Sequence, residues 1–349
     1  MPDTNAPTER PSQLRLASRA LLLALFVAVA FAVNYFGALH APHPHDVKIA
    51  IVGPPAVTAG LARELSVTPP NGFEVSQLTS IATARRLVAD RKLAGAFVPS
   101  TVRPTAIVAS AASASLASFL EGAFTRVAGA EGRPLAIADV RPLPPDNATG
   151  TANFFFLVIC SLGGLLSVAA LGLVAPALPE VQRLGLMAAA SVLTPTVAYL
   201  IGGLGFGTFG GDFATIIEML GLGALYTFAV AGTTRLFQLA FGMAGMVPAS
   251  LVVLFVSLPS SGGAVAPQLM PGLWRFLNHF WISADGLDAN RSILYFGGAG
   301  VGDDVLKMVA WIAGWAAVLA VPIYLRSTHR LPRHRSQLRG AAPRPAVEA

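Results

Sequence analysis

Hydrophobic and polar positions divide the chain into long apolar runs and one region of shorter, alternating segments. Each long run holds roughly 20 residues, enough to cross about 30 Å of hydrocarbon as a helix. The predicted spans are Ser18–Ala38, Asn153–Ala175, Leu186–Leu204, Phe213–Ala231, Ala240–Leu258 and Val305–Leu325. The pattern predicts an α-helical polytopic membrane protein with six transmembrane helices and an inserted extracytoplasmic α/β domain.

The first span, residues 18–38, follows a polar segment at 1–17 that we predict to be a disordered cytoplasmic tail. Small residues follow this span, so a cleaved signal peptide is an alternative. The apolar run of about 20 residues exceeds the 7–15 of a typical signal core, which favours an uncleaved membrane anchor.

Residues 46–145 show strand patterns that alternate with helical patterns, which favours a mixed sheet with helices packed on it. The predicted strands are Val47–Val52, Phe73–Leu78, Ala94–Val98, Thr105–Ala109 and Leu135–Val140. The predicted helices are Gly60–Leu65, Ile81–Leu93 and Ala114–Ala128. The first strand continues into KIAIVGPPA, which lacks the later glycines of a dinucleotide loop and does not indicate a nucleotide fold.

Composition and charge agree with a membrane location. The chain is 54% hydrophobic and 12% charged with a mean hydropathy of +0.63, whereas soluble proteins carry about 25% charged residues. The net charge of +6 does not indicate nucleic-acid binding, because the dense basic run at 326–344 directly follows the last span. A basic cytoplasmic tail at 326–349 fits better, and the charge bias places both termini in the cytoplasm of a bacterial plasma membrane.

The segment between the fifth and sixth spans, residues 259–300, predicts an outer amphipathic hairpin. Helix-breaking residues open it at 259–263, and Pro271–Ile282 has the spacing of a short amphipathic helix. Trp274, Phe280 and Trp281 are predicted to anchor this helix at the membrane–water interface. A surface helix of a globular cap is the alternative.

This same stretch carries a family resemblance. SSGGA, PQLMPGLWRFLN and GLDANRSILYFGG, followed by a last span, resemble the ABC type-2 transporter permeases. The similarity is to the phage-infection-protein-like branch, whose members have an extracytoplasmic domain after the first span. The resemblance implies an exporter permease subunit that works with a second permease half, identical or different, and with a separate ATPase subunit. The chain itself has no GxxxxGK[ST] motif, and its very apolar spans favour an amphipathic or lipid-like substrate.

The short connection at 176–185 separates the second and third spans. In the resembled family this connection contacts the ATPase, which implies Glu180, Gln182 and Arg183 as coupling residues. A plain tight loop is the alternative.

Glu218 and Arg275 are the candidate residues of a substrate path. Glu218 lies roughly 8 Å inside the fourth predicted span at 1.5 Å per residue, and an ionisable group at that depth indicates a functional role. It could contact substrate, relay a proton or pair with an arginine of the outer hairpin. A later start of the span would instead place Glu218 among the headgroups.

Other classes of function find less support in the sequence. A non-transporting surface receptor, or a scaffold for envelope assembly or secretion, remains the alternative to a transporter, although one span would suffice to anchor it. An enzyme is not predicted, because neither GxSxG nor a pair of catalytic groups within the spans occurs. His40, His43 and His45 form a proline-interrupted linker, so no metal site and no cofactor is predicted.

Overall fold

The computed structural model describes residues 10–67, 69–130 and 132–328. The helices are α1 Arg10–Leu39, α2 Pro55–Val67, α3 Ile81–Ala89, α4 Ala114–Ala130, α5 Thr151–Val174, α6 Glu180–Tyr199, α7 Phe213–Phe241, α8 Met246–Ser250, α9 Leu258–Ser260, α10 Gly272–Asn278, α11 Ile282–Tyr295 and α12 Val301–Thr328. The predicted tail at 1–17 is helical from Arg10 onward, and its first nine residues lie outside the described chain. The predicted basic tail at 326–349 begins within α12, and its remainder also lies outside the described residues.

Four segments of the described chain are long and apolar enough to cross a membrane, which supports a multi-pass membrane protein. They are Gln13–Leu39, Thr151–Val174, Glu180–Gly205 and Phe213–Ser260. The fourth and fifth predicted spans fall together in the last of these segments, which has 48 residues. The sixth predicted span, in α12, is not among the four.

The 48-residue segment is bent at a 3₁₀ turn, Gly242–Gly245. Gly242 adopts φ +61°, a conformation that glycine reaches without strain. A Cβ on Gly245 would lie 2.1 Å from the carbonyl oxygen of Phe237, so the chain returns close to the end of α7. Val253 then lies beside Val230 at a small cavity, as expected for a helical hairpin.

Two membrane segments depart from regular α-helical geometry. Leu200–Gly205 continues α6 as a π-helix, and Leu251–Ser257 joins α8 to α9 in the same form. Such wide turns are rare and occur often at functional sites. In the second of them, the carbonyl of Leu254 accepts a hydrogen bond from the Tyr35 hydroxyl at 3.3 Å, which ties α1 to this irregular segment.

The described residues between α1 and α5 form a five-stranded sheet with the order β2-β1-β3-β4-β5. Its strands are β1 Val47–Val52, β2 Phe73–Leu78, β3 Gly95–Val98, β4 Thr105–Val108 and β5 Ala136–Asp139. Only β3 and β4 pair in antiparallel fashion within this sheet. The predicted mixed sheet is therefore confirmed.

Helices cover both faces of the sheet because both faces carry apolar side chains. Ile49, Ile51 and Phe97 pack with residues of α2 and α4. Ala50 and Ile107 point to the other face and pack with α3. The strand alternation thus produces a three-layer α/β/α domain.

Helices α5, α6, α7, α11 and α12 form a bundle with a second core, which contains residues such as Phe156, Leu157, Tyr226 and Leu287. The single helix predicted at Pro271–Ile282 was wrong at its C-terminal end, because α10 ends at Asn278 and a new helix, α11, starts at Ile282. Most of α11 is buried in the bundle, whereas the sequence indicated only an outer hairpin.

Candidate functional site

The bundle has two chemically different ends. We call the end that carries the α/β domain the domain end, where α5 begins at Thr151. We call the opposite end the far end, where α5 connects to α6 and α7 meets the turn at Gly242. A groove between helices of the bundle lies between these ends.

The far end is held together by an ion pair between α6 and α7. Glu180, the first residue of α6, accepts hydrogen bonds from Arg235 Nε at 2.9 Å and Nη2 at 2.6 Å. Arg235 Nη1 also donates to Gln238 at 2.6 Å, and Gln238 Nε2 reaches the carbonyl of Val168 at 3.3 Å. Two-point pairing between arginine and a carboxylate fixes geometry as well as charge, so this network joins α5, α6 and α7.

Arg183 completes the far end from the inside. Its side chain is 2% exposed, and Nη2 donates to the carbonyl oxygens of Ala175 at 2.9 Å and Pro176 at 3.3 Å. A cation near the last carbonyls of a helix stabilises that helix end. Arg183 therefore holds the end of α5 and the start of the connection in one conformation.

The structure places the three predicted coupling residues in different environments. Glu180 is engaged with Arg235 and Arg183 is buried, while Gln182 is exposed. Beside it, Val181 is 81% exposed, so the outward surface of this corner combines an apolar and a polar side chain. A contact between an ATPase and the first turn of α6 stays a prediction. The exposed side chains that such a contact would use are Gln182 and Val181.

A groove of about 560 Å³ lies between α7, the α10–α11 connection and α12. Aromatic side chains form much of its wall, namely Phe280, Trp311 and Trp315. Trp311 Nε1 donates to Thr233 at 2.8 Å, which fixes the indole on α7. The aromatic wall makes the groove suited to an acyl chain or a ring system.

Charged groups line one part of the same groove. Lys307 Nζ lies 2.7 Å from Asp285 Oδ1 and 3.9 Å from Asp304 Oδ1. Burial raises the pKa of Asp285, and the hydrogen bond from Lys307 opposes that rise. The groove therefore combines a long apolar wall with a compact polar patch.

Side chains connect the α/β domain to α11 at the domain end. Arg91 adopts φ +59° just after α3, and its guanidinium forms an ion pair with Asp288. Its Nη1 donates to Ser292 Oγ at 2.6 Å, and its charge lies 5.2 Å from the centre of the Phe296 ring. Arg91 thus makes three kinds of contact with α11 and the residues that follow it.

Backbone contacts form a second connection at this end. The N–H groups of His43 and His45 donate to Leu269 at 3.1 Å and to Gln268 at 2.9 Å. Leu269 and Ala266 are buried in the core of the α/β domain. The segment before α10 therefore belongs structurally to both the domain and the bundle.

The three predicted interface anchors, Trp274, Phe280 and Trp281, differ in burial and in packing. Trp274 is 7% exposed and packs against Ala38, whereas Phe280 is 57% exposed. Trp281 forms an aromatic cluster with Phe280 and Trp311. Among the three predicted anchors, Phe280 is therefore the side chain most exposed for contact with a membrane interface.

The two predicted path residues do not meet. Arg275 Nη1 lies 3.9 Å from Asp46 Oδ2, beside the linker that follows α1. Glu218 is exposed in the second turn of α7, and no ion pair to it occurs in the part of the chain that the structure describes. Neither residue lines the groove of about 560 Å³.

Comparison of the chain with protein-family models, with curated proteins and with solved structures gives no match. The resemblance to the ABC type-2 permeases therefore depends on the order of segments and the motifs in residues 258–298.

Sequence reasoning missed Arg91, Arg235 and the groove wall of α12. One signal for the burial of α11 was present, because Ile282, Gly286, Ala289 and Ile293 recur at the spacing of one helix face. Nothing in the local sequence indicated which carboxylate each arginine would meet. Across residues 10–67, 69–130 and 132–328, no group of three or more His, Cys, Asp or Glu side chains is arranged to hold a metal ion.

Proposed function

We propose that this chain is the membrane-spanning permease subunit of an ABC-type exporter that moves an amphipathic or lipid-like substrate. Six crossings place the far end and both termini in the cytoplasm and the α/β domain outside. A separate ATPase subunit supplies the energy, and a second permease half, identical or different, completes the transporter. The proposal adds a fifth crossing through α8 and α9 and a sixth through α12.

The groove between α7 and α12 is the observation that carries this proposal. Its volume of about 560 Å³ falls within the range of roughly 300–1,000 Å³ that is usual for small-molecule sites. Phe280, Trp311 and Trp315 offer apolar surface, while Asp285 and Lys307 offer a polar contact. This division matches a molecule that has an apolar body and a polar head.

The far end supports the coupling part of the proposal. The Glu180–Arg235 pair joins the first turn of α6 to α7, and α7 in turn lines the groove through Thr233 and Leu236. A force applied to the exposed side chains of Val181 and Gln182 is thus transmitted to the groove through one packed helix. The π-helical segment Leu251–Ser257 lies within the fifth crossing, and we infer that the helix changes its winding there during transport.

Purification of the tagged chain from its host membranes tests the partner. We expect a polypeptide with a P-loop to be retained, and we expect Val181→Asp to reduce its retention at least tenfold. Val102→Asp is the matched control, because Val102 is 79% exposed on the α/β domain against 81% for Val181. Absence of any P-loop protein, or equal retention by the two variants, would favour the non-transporting receptor or scaffold.

Thiol labelling of intact cells tests the sidedness. With Cys160 replaced by alanine, a Ser66→Cys variant should react with a membrane-impermeant maleimide, because Ser66 is exposed on the α/β domain. A Gln182→Cys variant should react only after permeabilisation. The reverse pattern would overturn the proposed topology.

A further inference from the structure

A second cavity, of about 290 Å³, lies where the α/β domain meets the domain end of the bundle. The first turns of α4 and α5, the residues after α9 and one side of α11 surround it. Its polar lining includes Ser115, Ser118, Thr151, Asn153, Arg291 and Tyr295. None of the residues that the structure describes as lining it is acidic.

Two buried donors at this cavity have few protein partners. Arg291 is 9% exposed, and the one hydrogen bond of its guanidinium to described residues joins Nη2 to the carbonyl of Gly262 at 3.2 Å. Asn153 is 1% exposed, and its Nδ2 has no hydrogen-bond partner within the described chain. Its Oδ1 accepts from Asn147 and Tyr295, each at 3.0 Å. These two bonds fix the amide, and Nδ2 stays buried and unpartnered within the described chain.

The Arg291 guanidinium remains charged despite its burial. Burial lowers the pKa of Arg291 to about 10, which leaves it protonated at neutral pH. Buried charges are normally paired, because a buried cation without a counter-charge is costly. No ion pair to Arg291 exists among the residues that the structure describes, although Asp288 is near enough to act on its charge. The cavity is therefore lined by a buried guanidinium that has no counter-charge bonded to it among the described residues.

Backbone dipoles add to this positive potential. Ala114 and Ser115 open α4, and Thr151 opens α5, and all three line the cavity. The N-terminal turns of helices favour anions through their free N–H groups and partial positive charge. Asp139, which is hydrogen-bonded to the lining residue Ser110, already accepts from the backbone N–H groups of Ser110 and Arg141.

We propose that this cavity binds a phosphate group, with Arg291 as its charged donor and the first turns of α4 and α5 as its dipolar wall. Arg291 approaches from the bundle and the first turn of α4 from the domain, which suits an oxyanion with several acceptor oxygens better than a single carbonyl. The volume of about 290 Å³ accommodates phosphate with a small esterified alcohol but not a whole lipid. A soluble phosphate ester and a phospholipid headgroup share this chemistry. The inference does not depend on the proposed function, because binding is measured without ATP or transport.

Titration calorimetry on the purified full-length chain in a neutral detergent measures the first source, with inorganic phosphate and glycerol 3-phosphate as probes. Thermal unfolding in micelles doped with phosphatidylglycerol or with a phosphate-free galactosyl diacylglycerol measures the second. Saturable binding of a soluble probe assigns the site to a soluble ester. A midpoint shift with phosphatidylglycerol alone assigns it to a headgroup.

Ser118 supplies a matched pair of variants, since its side chain is exposed and lines the cavity. Ser118→Asp adds a negative charge, and Ser118→Asn adds similar bulk without charge. We expect Ser118→Asp to weaken the phosphate probe that binds by roughly tenfold or more, because two like charges a few ångströms apart repel strongly near a protein surface. Ser118→Asn should remain within about twofold of the unmodified chain, in the range usual for surface substitutions.

Arg291→Gln and Arg291→Lys test the buried cation. We expect Arg291→Gln to lose at least about tenfold in affinity, the effect of removing a charged hydrogen bond, while Arg291→Lys retains part of it. If Arg291→Gln does not fold, the Ser118 pair still decides. Equal binding by Ser118→Asp and Ser118→Asn, or no response to either kind of phosphate, overturns the proposal.

Discussion

The two ends of the bundle use arginine differently. At the far end, Arg235 and Glu180 satisfy each other with two hydrogen bonds, and Arg183 caps the carbonyl of Ala175. At the domain end, Arg91 reaches across from the α/β domain to Asp288, and Arg291 contacts only the carbonyl of Gly262 within the described chain. At the far end both arginines have Glu180 as a carboxylate partner, although two buried nitrogens of Arg183 have no hydrogen bond within the described chain. The domain end is a joint between the domain and the bundle, where Arg291 has no ion pair among the described residues and lines an open cavity.

This difference has a mechanical consequence. The far-end network joins neighbouring helices of one packed bundle, so the corner formed by α5, α6 and α7 moves as a unit. The domain end joins two separate cores through the polar contacts of Arg91 and through the segment before α10, so relative movement there disrupts less buried apolar surface than movement within the bundle. We expect disturbances at the far end to affect the whole bundle and disturbances at the domain end to remain local.

Two glycines give the largest expected contrast. A Cβ on Gly245 would lie 2.1 Å from the backbone oxygen of Phe237, whereas one on Gly263 would lie 2.0 Å from the Phe154 ring. A side chain can rotate away more easily than a helix backbone. We expect Gly245→Ala to lower the free energy of unfolding by about 3 kcal/mol and Gly263→Ala by about 1 kcal/mol, within the range for overpacking.

Thermal unfolding in detergent measures both variants. Gly221→Ala is the control, because a Cβ there meets nothing within 4 Å and alanine favours a helix. A smaller loss for Gly245→Ala than for Gly263→Ala would contradict the contrast between the rigid far end and the adaptable domain end.

Removal of the far-end carboxylate is the second test. We expect Glu180→Ala to cost about 2 kcal/mol, below the roughly 3–5 kcal/mol of a fully buried pair because the Glu180 side chain is 22% exposed. Arg235 and Arg183 would then lie close together without their shared counter-charge. Gln182 lies two residues after Glu180 and is exposed, so Gln182→Ala should leave the unfolding midpoint unchanged.

A double-mutant cycle sharpens this second test. If the ion pair accounts for the loss, Glu180→Ala together with Arg235→Ala should cost less than the sum of the single changes. Additive losses in the same unfolding experiment would show that the two side chains act separately.

The third and smallest effect concerns the joint between the α/β domain and α11, which Arg91 forms. We expect Arg91→Ala to cost about 1 kcal/mol overall, because a partly exposed ion pair contributes little to global stability. Amide exchange should nevertheless increase in α3 and α11 and not in α5. Arg85→Ala is the matched control on the exposed face of α3, and identical exchange in the two variants would remove Arg91 from the joint.

Much of the α/β domain could be predicted because local patterns specify it. β1 and β2 have the predicted bounds Val47–Val52 and Phe73–Leu78, since alternating side chains face two packed layers. The bounds of α2 were less accurate, because its first turn, from Pro55, carries no apolar periodicity. In the bundle, α7 extends to Phe241, ten residues beyond the predicted end at Ala231, because an apolar sequence does not show where a helix leaves the membrane.

The candidate site was predicted less well than the fold. Glu180 and Arg183 were singled out as polar residues of the α5–α6 connection, whereas they lie in the first turn of α6, and their partners were not predicted. Arg235 lies 55 positions from Glu180, and Asp288 lies 197 positions from Arg91. Pairings at such separations depend on how whole helices pack, which no local periodicity encodes.

The sequence by itself determined that the chain has long apolar segments, a mixed α/β domain and an amphipathic stretch at residues 258–298. These properties follow from composition and from the spacing of neighbouring side chains. Only the tertiary structure decided that α11 is buried, that Arg91 joins the domain to it and that Arg291 faces a cavity. Burial and charge pairing arise when distant segments exclude water together, so they become defined only in the packed molecule.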